Sequence, residues 1–182
     1  MSVHLKELLC NRLWVHNPLI YGAILFYEDG KGRLSIEVGV KNMLDAQFTW
    51  RELLSTRQAE EQAEQDSAAT TTTTPLCFKI EVTLLRPENV PGTAAYVHET
   101  MYSDRIYDPR TFEIGLEQGR WEIKQPETSV ITNKSTPYAR RLTFEPSIFP
   151  GAGNFKKGEP RRLLRLYRFD EWKSFYSEEI RG

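Results

Sequence analysis

The chain is short of several things, and each shortage removes a class of function. Among its 182 residues only two are cysteine, Cys10 and Cys77. Neither their number nor their spacing suits a disulfide scaffold or a zinc site, so both are expected to be buried free thiols. No apolar run approaches the roughly 18 residues of a membrane-spanning helix, and no cationic leader opens the chain. No membrane partner and a reducing, cytoplasmic location are the expectation. Neither sign of charge is in excess: 24 Lys and Arg against 25 Asp and Glu give a formal charge of −1. A nucleic-acid partner is therefore not expected from bulk electrostatics. Gly151-Ala152-Gly153-Asn154 follows Pro150, lacks a GK[ST] ending and has no helical pattern behind it. It reads as tight-turn glycine rather than a phosphate loop, and neither cofactor nor metal is expected.

What the chain does have is apolar and aromatic material, 40% and 12% of residues, enough for one core in a single domain spanning 1–182. Its clearest architecture is Pro18 to Val40, which reads as a hairpin. Ile20 to Tyr27 is rich in β-branched and aromatic residues, Glu28 to Gly32 is turn chemistry, and Leu34, Ile36, Val38 and Val40 alternate with Ser35, Glu37 and Gly39. Leu76 to Leu84 alternates in the same way, and further strands are expected at Thr93–Tyr102, Thr111–Leu116, Gly119–Lys124, Ser129–Thr132, Arg140–Phe144 and Arg161–Phe169. Ahead of them, Ser2 caps a short helix whose Leu5, Leu8, Leu9 and Leu13 make one apolar stripe that covers or plugs something.

Other stretches read less regularly. Thr49-Trp50-Arg51-Glu52 has the form of a capping box, yet Phe48, Trp50 and Glu52 alternate; a strand or short turn near Trp50 with a frayed helix beyond is the reading adopted. Residues 62–75 lack apolar anchors and read as a mobile surface loop. Pro146 to Pro160 reads as an irregular surface loop, and Asp170 to Ile180 as a terminal helix or strand. Strands dominate, so the expected fold is mainly β: an antiparallel barrel of calycin or lipocalin-like architecture with an N-terminal helix, the alternative being a two-sheet sandwich.

For function, the strand Thr93–Tyr102 carries the most. Alternation places Tyr96, His98, Thr100 and Tyr102 on one face and Val97, Glu99 and Met101 on the other. Such a row suits the wall of a small-molecule cavity, with Trp50 and Trp121 as further ligand-binding aromatics. His98, with Glu99 as a neighbouring carboxylate, is the candidate acid–base pair. The expected function is a barrel that binds a small hydrophobic or aromatic molecule, with a cofactor-independent isomerase or cyclase as its catalytic form. The alternative is a non-enzymatic protein- or nucleic-acid-interaction module. It would use the basic, aromatic C-terminal third, in which Arg140, Arg141, Arg161, Arg165 and Arg168 stand among Tyr138, Phe144, Phe155 and Tyr167. Glu145, Glu159, Glu171 and Glu178 interleave there, and cross-strand ion pairing accounts for the same pattern.

Overall fold

The computed structural model describes residues 3–17, 21–38, 41–53, 76–86, 102–123, 137–156, 161 and 165–180. A seven-residue helix, α1 (Val3–Leu9), precedes eight strands: β1 (Leu13–Val15), β2 (Tyr21–Phe26), β3 (Lys31–Val38), β4 (Lys41–Leu53), β5 (Leu76–Leu84), β6 (Arg110–Glu122), β7 (Pro137–Glu145) and β8 (Ser174–Glu179). Each strand pairs antiparallel with the next, and β8 returns to β1 with Tyr176 opposite Val15, so one sheet closes on itself. Closure in a single sheet rules out the two-sheet sandwich. It also removes the unpaired strand edges that invite association.

The expected hairpin is β2–β3. Ile24 faces Leu34 and Phe26 faces Gly32 across the turn at residues 28–30. Period-2 alternation then sorts the sheet's two faces. Leu34 and Ile36 on β3, Phe78 and Ile80 on β5, and Phe112 and Ile114 on β6 are buried, while Arg33, Lys79 and Glu113 at positions of the other parity are exposed. The inward side chains fill the closed sheet. Phe26 sets its edge against Phe48 at 5.5 Å and Trp50 at 5.2 Å, and Phe112 meets Phe144 at 6.1 Å.

Two different plugs close the ends. At one, α1 inserts Leu5 and Leu9, both fully buried, and the Trp14 indole N–H donates to the Leu9 carbonyl at 3.1 Å. The helix does plug the body, but Leu13 belongs to β1 and is 42% exposed, so it is not part of the stripe. At the other end Phe149, Phe155, Phe169 and Trp172 interlock edge-to-face, with Tyr102 joining them through Phe155.

The strand read near Trp50 is present: β4 runs unbroken to Leu53, with Trp50 opposite Val82 and Glu52 opposite Ile80, so residues 49–52 are strand and not a capping box. The ladder with β5 outweighs a local cap. Other elements differ from the sequence reading, each for a physical reason. β6 is one strand of 13 residues where two were expected, because a bulge between Gln118 and Trp121 carries it past Gly119. Arg161–Phe169 is not a strand. Residues 161 and 165–167 are helical and Phe169–Glu171 forms a 3-10 helix. Since β7 and β8 already pair with each other, no edge remains for that segment to join.

The segment after β7 is irregular, as expected, yet Ser147, Ile148, Phe149 and Phe155 are buried, so it enters the end of the closed sheet rather than wrapping the surface. Cys10 is a buried free thiol, whereas Cys77 falls on an outward position and is exposed. The helix beyond residue 56, the loop at 62–75, the strand Ser129–Thr132 and most of Thr93–Tyr102 lie outside the described residues. Among the described residues no helix is long and apolar enough to cross a membrane.

A pH-dependent contact holds β1 to the aromatic end. The His16 ring stacks on Trp172 at 4.3 Å and 15°, and its Nδ1–H donates to the Ser174 carbonyl at 2.8 Å. Gly22 makes the space, because a Cβ there would stand 2.5 Å from the Trp172 ring. Burial lowers the His16 pKa from its ordinary 6.5. The unfolded chain therefore binds the proton more readily, so this residue's contribution is full above the ordinary value and is lost as pH falls through the lower folded one. His16→Phe keeps a ring on Trp172 but cannot titrate. The melting temperature of the wild type is expected to fall more than that of His16→Phe between about pH 7 and about pH 5, and parallel falls would remove His16 as the cause.

Candidate functional site at the α1 end

On β7, Phe144 and Leu142 point inward, and the next position of the same parity towards the α1 end is Arg140. It pairs with Ser177, which continues the inward row of Phe175 on β8 and is 4% exposed. On β1 the inward Trp14 is likewise followed, two residues back, by Arg12. The apolar lining is thus interrupted by a polar row beside the mouth, with Tyr138 buried one step further along β7. Between the C-terminal end of α1, the turn after β2 and the end of β8 lies a depression of about 520 Å³. Lys6, Glu7, Cys10, Asn11, Arg12, Glu28, Ser177 and Glu178 line it.

Its electrostatics centre on Glu178. One carboxylate oxygen pairs with Arg12 Nη1, and the other accepts from Arg140 Nε at 2.8 Å. Glu178 adopts a left-handed backbone with φ of 62°, a conformation that costs a non-glycine residue about 1 kcal/mol or more and tends to be kept at functional positions. Arg12 Nη2 donates to the Glu7 carbonyl at 3.2 Å. Arg12 Nε and Arg140 Nη1 are buried without a hydrogen-bond partner, each an unmet donor worth about 1–3 kcal/mol. Burial, and then the charge of Arg12, lower the Arg140 pKa. Two guanidinium groups share one carboxylate, so the trio carries a net positive charge.

Across the mouth, Lys6 Nζ donates to the Glu28 carbonyl at 2.7 Å and Asn11 Nδ2 to the Glu28 carboxylate at 2.8 Å. Burial, followed by the charge of Glu28, pushes the Cys10 thiol up to about 11. It stays protonated at neutral pH and is no nucleophile there. The lining thus sets Lys6 and Arg12 against Glu7, Glu28 and Glu178. Among the described residues, no group of three or more His, Cys, Asp or Glu could hold a metal ion.

The residues singled out from the sequence are placed as follows. Tyr96, His98, Glu99 and Thr100 lie outside the described residues. Tyr102 is 3% exposed at the aromatic end, where it bridges Phe155, and burial holds its hydroxyl pKa well above the ordinary value. Trp50 is buried near α1, its indole N–H directed at the Lys31 carbonyl at 3.0 Å. Trp121 is not inward-pointing. It is half-exposed beneath the Arg141 guanidinium, 3.8 Å away, and Arg141 grips Glu117 on the outer face. The fold therefore sends Tyr102 and Trp50 to opposite ends and Trp121 outside. Arg12 and Ser177 carry no signal in the sequence. Arg140 and Glu178 stand among the interleaved charges read there as cross-strand ion pairs, and they do pair; the further signal was that Arg140 is a charge at an inward step of the alternation Tyr138, Leu142, Phe144.

Comparison of the chain with protein-family models, curated proteins and solved structures finds no match among any of the three.

Proposed function

We propose that the protein is a small-molecule carrier of calycin-type barrel architecture that takes its ligand at the α1 mouth. The observation that carries this reading is the depression of about 520 Å³ lined by polar and charged groups, among them Arg12, whose Nε is buried without a partner, a volume within the range of small-ligand sites. Closure by eight consecutive antiparallel strands is the arrangement expected of that architecture. Side chains such as Ile24, Phe48 and Ile114 fill the interior, which leaves the mouth as the place for a ligand.

Binding without catalysis is favoured by the lining of the mouth, which holds no histidine and whose one thiol, Cys10, is kept protonated by burial. The interaction-module reading is weakened by ion pairing: Arg140, Arg141 and Arg168 are engaged by Glu178, Glu117 and Glu171. The test is a panel of neutral aromatic and charged fragments screened by amide NMR. Binders are expected to perturb Cys10, Asn11, Ser177 and the Trp14 indole. Perturbations confined to the Tyr102–Phe155 end, or none at all, would sink the proposal.

A further inference from the structure

We infer that the ligand of the mouth carries an anionic head group, a carboxylate or a phosphate, and that Glu178 occupies that group's place in the free protein. The inference rests on the reading of the mouth as a binding site and adds the ligand's chemical class. The exposed Arg51, Arg86 and Arg168 each meet one carboxylate oxygen, but two arginines that lie along the strands are held by two-pronged pairing: Arg33 meets both oxygens of Asp45 at 2.7 and 2.8 Å, and Arg141 meets both of Glu117 at 2.7 Å. That fork is the geometry guanidinium prefers. At the mouth, Glu178 instead gives one oxygen to each of two arginines, and Arg12 Nε and Arg140 Nη1 are left buried and unmet.

An oxyanion lying against both guanidinium groups would meet those two donors, which Glu178 cannot reach while it is divided between them. The Glu178 side chain is 38% exposed, so it has solvent to swing into when displaced. Ser177, paired with Arg140 across the strands, supplies a small polar floor. Glu7 and Glu28 on the lining set the upper limit of charge. They disfavour an extended polyanion and leave room for one head group.

The test uses the full chain and two probes, sodium acetate and inorganic phosphate, titrated at constant ionic strength with chloride as the balancing salt. The side-chain Nε–H signals of Arg12 and Arg140 are expected to shift saturably, and the stronger probe identifies the head group. Glu178→Gln removes the competing charge and is expected to bind the same probe about tenfold more tightly. Arg140→Met is expected to abolish the response, and Arg12→Gln, at the more exposed arginine, supplies the same reading should either variant fold poorly. A shift that does not saturate, or that survives both arginine substitutions, overturns the inference as a general salt effect. Neutral fragments that perturb the mouth while neither anion does would overturn the anionic class and leave the carrier reading standing. Silence from both sets would overturn the two together.

Discussion

Gly32→Ala is expected to lower the melting temperature by about 6–12 °C, which for a chain of this size corresponds to about 3 kcal/mol. Gly32 lies directly opposite Phe48 in the β3–β4 ladder, and the Phe48 ring covers it. A Cβ at that position would stand 2.2 Å from Phe48 Cζ and 2.5 Å from the Leu25 carbonyl oxygen. Those two neighbours differ in what they can yield. The Phe48 ring could turn only by giving up its edge contact with Phe26, and the Leu25 oxygen belongs to the β2–β3 backbone and cannot turn at all. Gly151→Ala is the control, since a Cβ there meets nothing within 4 Å; its stability should change by no more than about 0.5 kcal/mol. If the two variants melt alike in calorimetry, the packing of Phe48 onto Gly32 is wrong.

That contact also shows why some of the fold was legible and some was not. β3 and β5 are long enough for alternation to be read, β2 is marked by its β-branched and aromatic content, and turn residues bound the β2–β3 hairpin. β1 has three residues, too few to show a period, and its strand character comes from lying between β2 and β8. Residues 49–52 satisfy a local helix signal and a strand pattern together, and only the partners at Lys31 and Thr83 decide between them. Arg161–Phe169 failed the other way: its pattern suited a strand, but the closed sheet had no vacancy, and Leu166 is left 66% exposed.

The mouth was harder still to foresee. Its polar row depends on register across three strands, so Arg12, Arg140 and Ser177 become neighbours only once β7, β8 and β1 are in place. The left-handed turn of Glu178 leaves no mark in the sequence either, because the residue is not glycine, asparagine or aspartate. Local reading favoured the Tyr96–Tyr102 row because aromatic and hydroxyl groups alternate visibly along one strand. A site assembled from the ends of separate elements offers no such run.

Phe175→Ala is expected to cost about 3–5 kcal/mol, seen as a lower urea midpoint with little change in slope. Phe175 is fully buried on β8, where the wall of the closed sheet meets its aromatic end. Its ring touches Phe144 at 5.6 Å, Phe149 at 5.7 Å and His16 at 5.7 Å, so truncation strips partners from a strand, an end segment and the β1–β2 connection at once. None of those neighbours can collapse into the space without breaking its own stacking, which places the cost towards the upper part of the range. Phe175→Leu keeps much of the volume and should lose only about 1–2 kcal/mol. It should also retain anion binding at the mouth, because Ser177 and Glu178 follow on the same strand and the Leu variant leaves their pairing with β7 untouched. The result decides where a ligand can go. A loss below about 1 kcal/mol for the alanine variant would mean that the interior beside Phe175 is loosely packed, and a cavity inside the sheet would then displace the mouth as the place to look for a ligand.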